Sequence, residues 1–109
     1  MKSILLIAFF SVIALAYGQP MRVLFVGNSY THYNNMPKLF EQMAESKGVK
    51  LEVLMDAKSS HTFQMHSKRS ELYKNIRSTK WDYVVLQGFS RELAQDRSAI
   101  DTMLSLIHI

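Results

Sequence analysis

The hydrophobic residues of this chain fall into short continuous runs, separated by longer stretches in which they recur at helical spacing. The runs lie at 22–26, 51–55 and 81–87 and are rich in valine, leucine and aromatic residues. A short apolar run without alternation is typical of a strand buried on both faces, as in a parallel sheet. The pattern therefore predicts three strands, with a polar loop over 28–35 and a polar turn over 56–61.

The stretches between these runs predict helices. Asn35 can cap the first helix, Pro37 is tolerated in its first turn, and Gly48 can end it in a left-handed conformation. A second helix is expected over 67–77, and a third begins after Ser90. The apolar face of the second is narrow and comprises Leu72, Tyr73 and Ile76. The apolar positions of the first are expected in the core and are Met36, Leu39, Phe40, Met43 and Ala44.

Strands separated by helices of this length pair in parallel through right-handed crossovers. The predicted fold class is therefore α/β, a three-layer, flavodoxin-like parallel sheet with helices on both faces. That architecture normally uses about five strands. We therefore expect only its N-terminal half to be present, in a domain that covers residues 19–103.

The first eighteen residues have the pattern of a secretory signal peptide. Lys2 precedes an apolar run over 4–16, and small residues stand at the end of this segment, at Ala14, Ala16 and Gly18. The alternative, a membrane anchor, needs about 20 apolar residues to cross the bilayer core. A signal peptide at 1–18 predicts a secreted or periplasmic protein with no stable membrane anchor. The chain has no cysteine, so it forms no disulfides.

The last six residues, 104–109, resemble the in-frame translation of a transposase adapter used in sequencing-library preparation. The hypothesis is that native sequence stops near Met103. An ordinary amphipathic helix end is the alternative. Codons unrelated to the adapter would contradict the hypothesis. In either case His108 is a poor candidate for catalysis.

Composition and charge are those of an ordinary globular protein, with 48% hydrophobic and 20% charged residues. The net charge is +4 and becomes +3 without Lys2. A basic cluster contributes much of the excess: Lys68, Arg69, Lys74, Arg77 and Lys80. Glu71 interrupts it, and no aromatic residues alternate with it to stack on bases. The cluster is interpreted as a solvated helix face, and no nucleic-acid partner is expected.

Polar residues follow each predicted strand, at 27–29, 59–61 and 87–90. The carboxyl ends of parallel strands meet at one edge of the sheet, where ligands bind in open α/β folds. Ser29 lies between a strand and a helix, which suits a nucleophile for acyl transfer. Such serines also commonly build turns and caps. Thr31 stands where an α/β-hydrolase elbow has its second glycine, so that elbow is excluded.

Three segments together carry a resemblance to a known family. Residues 24–31 read LFVGNSYT, residues 62–66 read TFQMH, and residues 81–90 read WDYVVLQGFS. In this order and spacing they resemble the SGNH, or GDSL-like, hydrolases, in the branch with a GNS-Phe/Tyr-Thr first block. The resemblance covers nearly all of residues 19–103 and implies the three-layer, flavodoxin-like α/β fold of that family.

The resemblance implies a role for each matching residue. Ser29 is the expected nucleophile, and its backbone amide is one donor of the oxyanion hole. Ser60 supplies the second amide where the family has a glycine, and positive φ would cost a serine about 1 kcal/mol more. Gln87 is the expected third donor. Candidate substrate contacts are Asn28, His66 and Ser90.

The family takes its catalytic histidine from an Asp-x-x-His stretch, which this chain lacks. No histidine stands three residues after any of its aspartates: Asp56, Asp82, Asp96 and Asp101. A serine without a base is a weak nucleophile, so the 109-residue chain is expected to be inactive by itself. His32 and His61 are interpreted as loop residues, and His66 as structural or substrate-contacting. No metal-ligand spacing or phosphate loop occurs, and no cofactor is expected.

The expected function is therefore that of an exported serine hydrolase acting on a small-molecule or carbohydrate ester, such as a sugar O-acetyl group. Two alternatives remain open. One is a flavodoxin-like module that binds phosphate or flavin through 28–31. The other is a non-catalytic protein on the same scaffold, with a degenerate site.

Overall fold

The computed structural model describes residues 19–108, so the predicted signal peptide lies outside the described residues. The strands are β1 (Met21–Gly27), β2 (Leu51–Ala57) and β3 (Tyr83–Leu86). The α-helices are α1 (Ser29–His32), α2 (Met36–Ser46), α3 (Phe63–Ser67), α4 (Ser70–Arg77), α5 (Glu92–Gln95) and α6 (Ser98–Ile107). A 3₁₀ turn, Tyr33–Asn35, joins α1 to α2.

The three strands form one parallel sheet in the order β2-β1-β3. Val23 of β1 is in register with Val53 of β2 on one side and with Tyr83 of β3 on the other. This confirms the α/β class and is compatible with a flavodoxin-like arrangement. The chain leaves β1 for one neighbour and later returns to the other, so the end of β1 lies at the switch point where such sheets bind ligands.

Alternate residues of β1 enter two separate cores, because successive side chains of a strand point to opposite faces. Leu24 and Val26 belong to a cluster with helical residues, namely Phe63, Leu72 and Leu106. Val23 and Phe25 belong to a second cluster, which draws Ala44 from α2. All four β1 residues are at most 5% exposed. The prediction of a strand buried on both faces is confirmed, and helices pack on both faces of the sheet.

The predicted burial of α2 is wrong. Met36, Leu39, Phe40 and Met43 are 37–61% exposed, and Ala44 is the helical residue that packs against the Val23 cluster. In the described part of the chain, α2 contacts β2 and one edge-on aromatic pair joins Phe40 to Phe25. These contacts leave most of the apolar stripe of α2 in solvent.

The ends of α2 follow the sequence prediction more closely. Pro37 lies in the first turn of α2, and Gly48 has a φ of +78° just beyond its end. Asn35 occupies the position before the helix, but its backbone is left-handed and its side chain makes no capping bond. The Asn28 side chain caps α1 instead, which turns the predicted loop over 28–35 into helical turns.

Other predicted boundaries shift. The second strand continues to Ala57, and the third strand begins at Tyr83. The helix predicted over 67–77 begins at Ser70, and the short helix before it, Phe63–Ser67, was not predicted. Beyond Ser90 the chain forms α5 and then α6, which continues to Ile107. Leu106 is 4% exposed and packs in the Leu24 cluster. Within residues 19–108, no helix is both long and apolar enough to cross a membrane.

Candidate active site

Ser29 lies at the junction of β1 and α1, at the carboxyl edge of the sheet. Asn28 precedes it in extended conformation, and its Oδ1 accepts a hydrogen bond from the Tyr30 amide at 3.1 Å. The Asn28 side chain also donates to the His61 carbonyl at 3.2 Å. Asn28 is 3% exposed. Its side chain therefore holds the start of α1 against the loop after β2, although it was predicted as a substrate contact.

A second set of bonds fixes α1 against the end of β3. Gln87 Oε1 accepts from the Asn28 amide at 3.0 Å and from Thr31 Oγ1 at 2.9 Å. The Gln87 Nε2 group donates to the Gly88 carbonyl. Thr31 is 1% exposed. The Gln87 side chain thus ties β3 to the turn that carries Ser29.

Gly27 makes this packing feasible. A Cβ at Gly27 would lie 2.6 Å from Gln87 Oε1 and would collide with Thr31 Oγ1. The glycine is needed for this close approach of side chains, and its backbone φ is not in the left-handed region.

Ser29 opens into a cleft of about 350 Å³ at this edge. Its lining residues are Asn28, Ser29, Tyr30, Ser60, Thr62 and Phe89. None of them carries a charge. Tyr30 and Phe89 are 67% and 47% exposed, so aromatic rings are available beside the serine. A neutral cleft of this composition suits an uncharged substrate better than an anionic one.

Two backbone amides in this cleft are candidate donors to an oxyanion. The first amides of a helix have no intrahelical acceptor, and Ser29 is the first residue of α1. Ser60 contributes the other, from the turn after β2. In residues 19–108 neither amide donates a hydrogen bond to another protein group. The two serines predicted from the sequence to supply these amides line the same cleft.

Ser60 has a φ of +61°, in the left-handed region that favours glycine. The strain expected from the sequence is therefore present. We expect Ser60→Gly to raise the free energy of unfolding by about 1 kcal/mol, because glycine removes the clash of Cβ with the backbone. Urea denaturation of the full-length gene product measures this. Ser78→Gly is the control, because Ser78 lies at an exposed helix end and has a negative φ. This substitution should lower the free energy of unfolding. A destabilised Ser60→Gly protein would contradict the prediction.

Two further predicted residues lie away from the cleft wall. Gln87 does not line the cleft, and its Nε2 is directed to the Gly88 carbonyl. Ser90 is exposed in the turn before α5 and is also not part of the lining.

Of the two interpretations of His66, structural or substrate-contacting, the structure supports the structural one, because His66 is 0% exposed. Its Nε2 lies 2.8 Å from the Gly27 carbonyl oxygen, and its Nδ1 lies 2.8 Å from Arg69 Nη1. A guanidinium can only donate, so Nδ1 accepts and Nε2 carries the proton given to Gly27. His66 is therefore a neutral structural group beneath the turn that carries Ser29.

Arg69 links His66 to a buried carboxylate. Its Nη1 lies 2.8 Å from Asp56 Oδ1, and Asn75 Nδ2 donates to Asp56 Oδ2 at 2.9 Å. Asp56 is 5% exposed. The interpretation of Arg69 as part of a solvated basic face is wrong, since its side chain is 16% exposed. The other four residues of the cluster are exposed.

Burial lowers the pKa of His66 from its ordinary value of 6.5; the Gly27 carbonyl opposes the shift and the Arg69 charge adds to it. The unfolded chain therefore binds the proton more readily than the folded one. We expect the free energy of unfolding to fall as pH drops below 6.5 toward the lowered pKa, by up to about 1.4 kcal/mol per unit.

His66→Gln tests this assignment, because glutamine can still donate to Gly27 and accept from Arg69. The stability difference between wild type and His66→Gln should shrink as pH falls from 7.5 to 5. His32→Gln, at the end of α1, is the control. A difference that stays constant with pH would contradict a neutral buried His66.

No base for Ser29 is found in the part of the chain described. Ser29 Oγ makes no side-chain hydrogen bond there, and His32 Nε2 lies 2.9 Å from Ser59 Oγ instead. His61 Nδ1 is 3.1 Å from the Ser59 carbonyl oxygen. Over residues 19–108 there is also no group of three or more histidine or acidic residues arranged to hold a metal ion.

Glu92 was not predicted as a residue of interest; it is 7% exposed and accepts hydrogen bonds from two backbone amides. The ion pair of Asp56 with Arg69 was not predicted either. Charged residues in helix-forming stretches are normally solvated, and no local pattern distinguishes these from their neighbours. For Thr31 the sequence contained a weak indication of a role at the site, because Thr31 directly follows the Gly-Asn-Ser-Tyr turn.

Comparison of the chain with protein-family models, with curated proteins and with solved structures finds no match.

Proposed function

We propose that this protein is a serine ester hydrolase of the SGNH type, with Ser29 as its nucleophile. One observation carries the proposal: Ser29 and Ser60 line the same neutral cleft, and within residues 19–108 neither of their backbone amides donates a hydrogen bond to another protein group. A nucleophile beside convergent N–H donors is the arrangement that acyl transfer requires. The three sequence blocks that resemble the family support the same assignment.

In the proposed reaction, Ser29 Oγ attacks the ester carbonyl carbon and its proton passes to a histidine base. The carbonyl oxygen becomes an oxyanion, which accepts hydrogen bonds from the Ser29 and Ser60 amides. Collapse of the intermediate expels the alcohol, which takes the proton from the base. Water then attacks the acyl-serine and releases the acid. The base belongs to sequence outside residues 19–108, as the resemblance to the family implies.

Gln87 acts in this proposal through Asn28 and Thr31, which it holds in place. A direct contact between Gln87 Nε2 and the oxyanion would require the side chain to turn away from the Gly88 carbonyl. The neutral cleft and its exposed aromatic walls support a small acyl group on an uncharged alcohol, such as an O-acetylated sugar. Export through residues 1–18 belongs to the same proposal.

The phosphate- or flavin-binding alternative has less support, because none of the residues between 19 and 108 that line the cleft is cationic. The purified full-length gene product distinguishes the two functions. We expect acetate release from acetylated sugars and from 4-nitrophenyl acetate. Flavin absorbance in the purified protein would favour the binding module. A folded protein that hydrolyses neither ester would contradict the proposed enzymatic function.

A further inference from the structure

Glu92 is a buried carboxylate whose partners are backbone amides. Its Oε1 accepts from the Phe63 amide and its Oε2 from the Phe89 amide, each at 2.8 Å. It forms no ion pair with the described residues. A buried charge is expensive unless it is hydrogen-bonded, and bonds to an ionised acceptor are about twice as strong as neutral ones.

The two amides belong to different connections of the sheet, one after β2 and one after β3. Phe63 is the first residue of α3, after β2, whereas Phe89 lies in the loop after β3. The residue next to Phe63 is Thr62, and Thr62 and Phe89 both line the Ser29 cleft. Glu92 itself does not line that cleft. The carboxylate therefore bridges the two loops that carry one wall of the site without reaching the serine.

Gly88 shows how closely these parts pack. A Cβ at Gly88 would lie 2.7 Å from Glu92 Oε2 and 2.7 Å from Phe63 Cε2. The loop after β3 therefore passes directly over the bonded carboxylate and the Phe63 ring.

We propose that Glu92 is a positioning residue that fixes the separation of Thr62 and Phe89, and so sets the size of the ester group that the cleft accepts. This inference rests on the proposed ester hydrolysis. Glu92 acts through the loops and takes no part in bond making. Losing one of its hydrogen bonds should move the wall of the cleft, while the bonds of Gln87 with Asn28 and Thr31 stay intact.

The test is Glu92→Gln in the full-length gene product, assayed with 4-nitrophenyl acetate, butyrate and octanoate. The amide keeps the size of the carboxylate but leaves one backbone N–H without an acceptor. We expect KM for the preferred ester to rise about tenfold with kcat changed less than about threefold, the pattern of lost binding without lost chemistry. The discrimination between short and long acyl chains should also fall. Glu71→Gln, exposed on α4, is the control and should match wild type.

Several outcomes would overturn the inference. One is an active wild type whose KM values and selectivity are unchanged in Glu92→Gln, and another is a fall in kcat alone. Should Glu92→Gln fail to fold, Phe89→Ala removes the wall directly and keeps the carboxylate. Unchanged KM and selectivity in that variant would also overturn it. A wild type that hydrolyses none of the three esters refutes the proposed function itself, and the inference with it.

Discussion

Replacing Ser29 with alanine is expected to lower kcat for ester hydrolysis by the full-length gene product by at least about 10⁴-fold. In the proposed mechanism the hydroxyl oxygen forms the acyl bond, and Ser29 lies between the end of β1 and the first turn of α1. The backbone amides of the oxyanion hole remain in the variant, so KM should change little. Initial rates with 4-nitrophenyl acetate and acetate release from acetylated sugars give both constants.

Stability must be measured alongside, because Ser29 is half-buried at the start of α1. We expect the free energy of unfolding of the alanine variant to lie within about 1 kcal/mol of the wild-type value, since the Ser29 hydroxyl makes no side-chain hydrogen bond within residues 19–108. Ser46→Ala, at the exposed end of α2, is the matched control and should keep full activity. A Ser29→Ala protein with undiminished turnover would refute the nucleophile assignment.

Gly27→Ala is expected to destabilise the protein by about 1–3 kcal/mol, the usual cost of overpacking a well-filled site. The added methyl would collide with Thr31 and approach Gln87 Oε1 to 2.6 Å. These side chains hold the turn that carries Ser29, so relief of the clash moves the nucleophile. Because small misplacements of reacting groups can cost about 10²-fold in rate, activity should fall together with stability.

The control for this prediction is Gly48→Ala. A methyl group added at Gly48 would have no atom within 4 Å, and the φ of this residue is +78°. Alanine there meets backbone strain alone, at a cost of about 1 kcal/mol. Activity should be unchanged in that variant. Urea denaturation measures the stability of the Gly27→Ala and Gly48→Ala proteins, and ester hydrolysis measures their activity. A Gly27→Ala protein that retains full activity and loses no more stability than Gly48→Ala would contradict the role assigned to Gly27.

The parts of the fold that follow from local sequence were predicted well. The apolar run at 22–26 predicted a strand that is buried on both faces, and β1 is the central strand of the sheet. Parallel pairing of the strands was predicted because helix-forming stretches separate the three apolar runs. The same logic placed Ser29 and Ser60 at one edge of the sheet, where they share a cleft.

The parts that depend on distant partners were not predictable. Helical spacing shows that α2 has an apolar stripe, but not whether another element covers it. His66 and Gln87 were recognised as residues of interest, yet their contacts with Gly27 and Thr31 span 39 and 56 positions in the chain. Glu92 reaches Phe63 across 29 positions. Only the three-dimensional packing shows that these polar groups support the site from beneath and behind it.

In the proposed mechanism Ser29 is a reactive nucleophile, and a covalent label that reacts with such serines can detect it. The full-length gene product, incubated with a fluorophosphonate probe and digested, should give one labelled peptide, with the phosphonate on Ser29. Mass spectrometry locates the modified residue, and Ser29→Ala should abolish the label. A folded, full-length protein that stays unlabelled at Ser29, or that carries the label on another serine, would contradict the account.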